Sequence, residues 1–224
     1  MNQIDEIQRL ARLGLAKMET DSFHNFDWRI RREIYRKLIG IDQSSESSLF
    51  PNLMVKTADY VLPILQSTFP EDHLPKALLD MAKFVIVKDF QKDHLKVVEL
   101  LDEGYLAIGI DNLTWRDKID YSAEYAGSAC YKALVEINAG QSMLENIEDQ
   151  HGQYNRFFLS HLPEPKAEVF DADFADFAHL AAFGDTAGAA AIAFACSQEK
   201  FDLDRVKLKT FWTWWVNHAI FSIF

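Results

Sequence analysis

Apolar residues recur along this chain at spacings of three and four residues almost from end to end. That spacing matches the 3.6-residue period of an α-helix and makes one face of the helix apolar. The alternation of apolar and polar residues that marks a half-buried strand never runs longer than about five residues. The sequence therefore predicts an all-α fold of about eight or nine helices, packed as antiparallel pairs in a bundle or a short solenoid-like array.

Length and turn-forming residues agree with that fold class. The 224 residues include only 9 Gly and 6 Pro, fewer than a barrel or sandwich with many tight turns needs. The stretch 141–166 is the best candidate for a linker, but it does not divide the chain into two balanced cores. We therefore expect a single domain over residues 1–224, with the C-terminal helices at 169–221 packed on the rest.

Capping residues indicate where the second helix begins and ends. Asp21 or Asn25 can accept a hydrogen bond from the first free N–H groups, and Gly40 is typical of a helix end. The polar run Asp42–Ser48 then predicts a loop.

Two helices meet across an acidic turn within Thr57–Phe84. The first is predicted from about Leu53 to Thr68, and its Pro63 lies off the apolar stripe. Because proline cannot donate a backbone hydrogen bond, Pro63 predicts either an outward-facing position or a kink. Pro70 ends this helix, and Asp72 is expected to cap the next one.

Later helices are predicted from the same spacing. Their expected ranges are Asp93–Gly109, Thr114–Asn138, Val169–Phe183, Asp185–Cys196 and Asp202–Phe221. The middle of the second of these is made of small residues, which allow another helix to approach closely: Ala123, Ala126, Gly127 and Ala129. Asp185 follows a glycine and is expected to cap the fourth.

Charge constrains the partners. The 34 acidic and 23 basic residues give a formal net charge of -11, which disfavours binding to nucleic acid or an anionic membrane. The same charge suits a basic partner, although acidity that serves solubility alone would look the same.

The compartment is predicted from the two ends of the chain and from its cysteines. The N-terminus has no apolar signal core, and the apolar C-terminal segment is too short to span a bilayer, so we expect a cytoplasmic protein. Cys130 and Cys196 lie among small apolar residues and are expected to be buried free thiols.

The best candidate for a metal site is the series Asp171, Asp173, Asp176 and His179. On a helix, Asp176 and His179 share a face, and a carboxylate and an imidazole so placed can chelate a transition metal. The alternative is that these acidic residues simply favour the first turn of a helix. The chain has no HExxH motif, no GxSxG elbow and no phosphate-binding loop, so no cofactor is expected.

Two further clusters allow a structural or a functional interpretation. Trp212, Trp214 and Trp215 cover more than one helix face, so at least one should be buried and another partly exposed at a groove or interface. A basic cluster on the second helix is expected to pair with neighbouring carboxylates rather than with phosphate; it comprises Arg29, Arg31, Arg32, Arg36 and Lys37.

The helical hairpin of Thr57–Phe84 resembles the signature of the immunity protein 5 family of bacterial polymorphic toxin systems. That family pairs a helix carrying a VLPI-type motif with a turn of aromatic, proline and acidic residues. Val61–Ile64 (VLPI) and Phe69–Pro75 (FPEDHLP) are similar to those two motifs. Upstream, Trp28–Tyr35 is similar to the arginine-bearing helix that often precedes them, and downstream Ala123–Ala133 fits as well.

The resemblance extends over about Arg29–Ala139, and the residues beyond Gln141 do not align with the family pattern. Many relatives carry a tryptophan and a glutamate after the VLPI motif, whereas this chain has Leu65 and Gln66. The C-terminal third is accordingly expected to be variable within the family or an addition to it.

The resemblance implies an all-helical protein, encoded beside a toxin, that binds and neutralises that toxin without catalysis. Partners of the family are often nuclease-type toxins, whose phosphate substrate requires a basic surface. The exposed carboxylates of the turns are the candidate contacts on charge alone: Glu71, Asp72, Asp102, Glu103 and Asp111. The alternatives are a small helical metal-dependent or ligand-binding enzyme built on Asp173, Asp176 and His179, and a helical scaffold with neither role.

Overall fold

The computed structural model describes residues 2–20, 24, 26–45, 47–87, 97–102, 120–139, 185–197 and 202–224. The regular elements within these ranges are helices: α1 (Gln3–Thr20), α2 (Trp28–Ser45), α3 (Leu49–Thr68), α4 (Leu74–Val87), α5 (Tyr121–Ala139), α6 (Thr186–Ala195) and α7 (Arg205–Trp214), which continues as a π-helix (Trp215–Ile220). Residues 97–102 are also helical, and Cys196 forms an isolated antiparallel bridge with Leu203. The predicted all-α fold is confirmed, and the predicted helix Val169–Phe183 lies outside the described residues.

Helix α5 packs against α3, α4 and α6. Thr68 at the end of α3 donates a hydrogen bond of 2.9 Å to Asp120, just before α5, so α3 and α5 run antiparallel. Gly127 explains the close approach, since a Cβ there would lie only 3.1 Å from the Leu65 side chain. The prediction that small residues in this helix admit a close neighbour is confirmed, because Ala123, Ala126, Gly127 and Ala129 are all buried.

Aromatic side chains join α2, α3 and the C-terminal helix around Trp215. Phe26, between α1 and α2, lies 5.5 Å from both Trp212 and Trp215 between ring centroids. The Trp215 indole donates a 3.1 Å hydrogen bond to the Thr57 hydroxyl, which satisfies its one polar atom inside the core. The expectation that at least one of the three tryptophans is buried is confirmed by Trp212 and Trp215.

The predicted ends of α2 are wrong. The helix begins at Trp28, where the Asp27 carboxylate accepts a hydrogen bond of 2.9 Å from the Arg29 N–H. It continues through Gly40 to Ser45, so Gly40 does not stop it. Of the segment Asp42–Ser48 that was predicted as a loop, Asp42–Ser45 form the last turn of α2, and the Asp42 carboxylate accepts from the N–H groups of Leu49 and Phe50 at the start of α3.

The α3–α4 hairpin follows the prediction more closely. Helix α3 starts at Leu49, about a turn before the predicted Leu53, and contains Pro63 at an exposed position within it. The Asp72 carboxylate accepts from the Leu74 N–H at 3.2 Å, which confirms that Asp72 caps the start of α4.

The cysteine prediction is confirmed for both residues, which are buried and free. Burial raises the pKa of Cys130 to about 12 and that of Cys196 to about 11, so both thiols stay protonated and unreactive near neutral pH. Within the described ranges, no helix combines the length and the apolarity needed to cross a membrane.

Candidate functional site

A buried ion pair joins α2 to the N-terminus of α6. The Arg31 guanidinium donates to the Asp185 carboxylate through Nε at 2.9 Å and through a terminal nitrogen at 3.2 Å. Arg31 also donates to the Phe26 carbonyl at 2.7 Å and lies 5.0 Å from the Trp212 ring centroid. Only 1% of the Arg31 side chain and 9% of that of Asp185 are exposed, so the pair is held away from water.

Asp185 also caps α6, as its place in the sequence predicts. Its carboxylate accepts from the Gly188 N–H at 2.7 Å and from the Tyr35 hydroxyl at 3.1 Å. Burial alone would raise the pKa of Asp185, but the charge of Arg31 and these hydrogen bonds bring it below its ordinary value. Burial alone would likewise lower the pKa of Arg31, and Asp185 raises it on balance. Both groups therefore stay charged inside the core.

A second buried carboxylate lies at the same helix start. Glu136 of α5 accepts from the Thr186 N–H at 2.9 Å and from the Thr186 hydroxyl at 2.7 Å. Burial raises the pKa of Glu136 to about 8, with a further rise from the charge of Asp185 and opposition from Thr186 and Lys132. Burial also lowers the pKa of Lys132, one turn earlier in α5. Glu136 is therefore mainly protonated at neutral pH.

This buried network has a structural role. Helix α6 is made almost entirely of small residues and is buried nearly all round, so it has few large side chains to fix its position. The free N–H groups at its start would be costly to bury without partners. Asp185 and Glu136 supply acceptors for two of them, and Arg31 ties the cap to α2. The network thereby fixes the start of α6 relative to α2 and α5.

The basic cluster of α2 pairs largely as predicted. Arg36 contacts Glu33 at 2.6 Å, and Lys37 contacts Glu6 at 3.0 Å across to α1. Arg31 finds its partner at Asp185, which lies 154 residues away in sequence. The expectation of carboxylate partners is confirmed for these three cations.

The structure describes three of the five carboxylates selected from charge. Glu71 and Asp72 lie together in the α3–α4 turn, where Glu71 is exposed and Asp72 is half-buried. Asp102 is exposed within the helical residues 97–102. Glu103 and Asp111 lie outside the described residues. Of the three that are described, Glu71 and Asp72 share one turn.

The metal hypothesis falls on residues that the structure does not describe, since Asp171, Asp173, Asp176 and His179 all lie between 140 and 184. In the part of the chain that is described, no group of three or more His, Cys, Asp or Glu side chains could hold a metal ion.

An aromatic cluster lies at the surface between α3, α6 and α7. The rings of Tyr60 and Trp214 stack with centroids 3.6 Å apart and planes inclined by 13°. Phe194 stacks on Tyr60 at 5.6 Å and 28°. All three side chains are half-buried, so Trp214 is the tryptophan that the sequence predicted to be partly exposed. Tyr60 and Phe194 were not selected from sequence, because only the fold brings them beside Trp214.

The comparison with protein families agrees with the resemblance drawn from the hairpin and identifies the chain as an immunity protein. The model of the family described as "Immunity protein Imm5" matches residues 14–222. That match covers nearly the whole chain, so the chain belongs to the Imm5 family. No curated protein and no solved structure matches it significantly.

The match extends beyond the resemblance that the sequence predicts over about Arg29–Ala139. The alternative that the C-terminal third is an addition to the family is wrong, and its variability within the family stays a prediction. The family match continues to residue 222, so α6, α7 and the π-helix lie within the family region. The buried contacts that join α6 to α2 and α5 give a physical reason for that extent, because the N-terminal helices pack directly against the C-terminal ones.

Proposed function

We propose that this protein neutralises a cognate bacterial toxin by binding it and occluding its active surface, without catalysis. The observation that carries this proposal is the family match over residues 14–222, since immunity proteins act on toxins. The partner we propose is a nuclease-type toxin, and the site of action is the cytoplasm of the producing cell.

Charge supports the nuclease assignment. A nuclease presents a basic surface to its phosphate substrate, and an inhibitor of formal charge -11 would be steered to that surface. Glu71, Asp72, Asp102, Glu103 and Asp111 are the carboxylates that we propose to face the toxin. A stable inhibitory complex would bury about 1,600 Å² in total, which is far more than one turn can supply.

Co-expression tests this function directly. The C-terminal domain encoded by the neighbouring gene is expressed in a bacterial host, alone and together with this chain. We expect that domain to arrest growth and this chain to restore it. Continued growth arrest at equal, soluble expression of both proteins would contradict the proposal.

A further inference from the structure

We propose that the toxin docks on an outward surface formed by Tyr60, Pro63 and Ile64 of α3 with Phe194 of α6 and Trp214 of α7, which we call the Tyr60 surface. The inference rests on the proposed function and adds to it the place of contact. The occupant we propose is the basic, substrate-binding face of the cognate toxin.

The aromatic rings provide the centre of this surface. Three separate helices hold Tyr60, Phe194 and Trp214 in a stack of half-buried rings. Tyrosine and tryptophan are over-represented at binding hot spots, since they bring large contact area with few rotatable bonds. The Tyr60 hydroxyl has no hydrogen-bond partner among the described residues, so the ring contacts carry its contribution to this surface.

Pro63 is the second observation. It lies inside α3, exposed, one turn after Tyr60. Proline in a helix interior costs stability because it has no N–H to donate to the carbonyl four residues earlier, here that of Asp59. Burial does not explain the residue, because its side chain faces solvent. A role in binding does explain it: the ring adds rigid apolar area, and the carbonyl of Asp59 is left to accept from an outside donor.

Exposed carboxylates follow α3 and α6, two of the helices that carry this centre. Tyr60, Ile64 and Ser67 follow one another along one face of α3, which leads to Glu71 in the α3–α4 turn. On the other side, Asp202 is exposed beside the end of α6, where its carbonyl accepts from the Ser197 N–H at 3.1 Å. Among the described residues, neither Glu71 nor Asp202 forms an ion pair. Lys56, one turn before Tyr60, donates to the Ser222 hydroxyl, and Lys83 pairs with Asp59. Glu71 and Asp202 are therefore the carboxylates left to meet a basic protein surface that carries its own apolar contacts.

The test measures the affinity of purified variants for the C-terminal domain encoded by the neighbouring gene, inactivated at its catalytic site. We expect Tyr60→Ala to weaken binding by about 30-fold or more, as for a hot-spot residue. Tyr60→Phe keeps the ring stack and should stay within about threefold of the wild type. Leu13→Ala is the matched control, since Leu13 is a 40% exposed apolar residue on α1, and its affinity should not change.

Pro63→Ala separates binding from folding. Restoring the N–H should raise the melting temperature, while the loss of the ring and of the free Asp59 carbonyl should weaken binding by several-fold. If Pro63 had only a structural role, its replacement would not make the protein more stable and its binding weaker at the same time. This variant also keeps the proposal testable if Tyr60→Ala does not fold.

The outcomes distinguish this surface from the function on which it rests. If the wild-type chain does not bind the toxin domain, the proposed function itself fails. If the wild type binds and the folded Tyr60→Ala and Pro63→Ala variants bind equally well, only the Tyr60 surface is overturned. A change in the sedimentation of the chain alone on Tyr60→Ala would show a surface for a second copy of this chain, and would overturn it too.

Discussion

The buried Arg31–Asp185 ion pair joins α2 near the N-terminus to the start of α6, 154 residues later in the sequence. We expect Arg31→Met to lower the free energy of unfolding by about 3 kcal/mol, because the variant leaves the Asp185 carboxylate buried without its cation. Urea denaturation followed by circular dichroism measures this change.

The double variant Arg31→Met/Asp185→Asn is the control for that prediction. Asparagine can still cap α6, and it carries no charge that needs a partner. The double variant should therefore unfold at higher urea than Arg31→Met alone. The single variant Asp185→Asn completes the cycle. If the double variant loses as much stability as the two single variants together, Arg31 and Asp185 are not coupled and do not form a stabilising pair.

Glu136 predicts a pH-dependent stability. Its pKa rises from an ordinary value of 4.5 in the unfolded chain to about 8 in the fold, so the folded protein binds more protons between those values. The stability from this group is full below about 4.5 and is lost as pH rises through about 8. In Glu136→Gln the amide oxygen can still accept from the Thr186 N–H, and the side chain does not titrate. The melting temperature of the wild type should therefore fall from pH 5 to 9 relative to that of Glu136→Gln. If the melting temperatures of the two proteins change with pH in parallel, Glu136 is not a buried neutral carboxyl.

Within single helices, alanine substitutions at two glycines are expected to change the stability of the protein in opposite directions. A Cβ on Gly14 of α1 would clash with the Phe26 ring, which is itself fully buried. A Cβ on Gly40 of α2 meets no atom within 4 Å. We expect Gly14→Ala to destabilise the protein by more than about 2 kcal/mol, through overpacking, and Gly40→Ala to stabilise it by about 0.5–1 kcal/mol, through helix propensity. Thermal unfolding of the pair decides; a stabilising Gly14→Ala would show that α1 packs differently.

The same two elements show what a sequence can predict about helix ends. The cap of α6 is local, since Asp185 bonds an N–H only three residues away, and the prediction is confirmed. The end of α2 depends instead on Asp42, whose carboxylate reaches seven and eight residues forward to the start of α3. Gly40 is typical of a helix end, but α2 continues past it to Ser45. The hydrogen bonds from Leu49 and Phe50 to Asp42 join this last turn to the start of α3.

At the scale of the whole molecule, helical periodicity predicts the fold class, while the contacts that join distant segments are not predictable from one sequence. The partners Arg31 and Asp185 are separated by 154 residues, and Tyr60 meets Trp214 only because α3 and α7 pack side by side. The charge-based selection of Glu71 and Asp72 stays a prediction, and no pattern in the sequence places Tyr60 beside Trp214.

Charge at this scale predicts the kinetics of binding. If the acidic chain is steered to a basic toxin surface, the association rate should fall steeply between low and moderate salt, with a smaller change in the dissociation rate. Stopped-flow mixing of chain and inactivated toxin domain measures both rates. Glu71→Lys should lower the association rate further. An association rate that does not depend on salt would contradict steering, and the charge of -11 would then serve solubility alone.

The central claim, neutralisation by binding and occlusion, is tested most directly by titrating the activity of the toxin domain with this protein. We predict that toxin activity falls in proportion to the protein added and reaches zero at about one equivalent, because each bound molecule covers one active surface. Complete inactivation by a small fraction of an equivalent would mean that the protein turns over, and would contradict the claim.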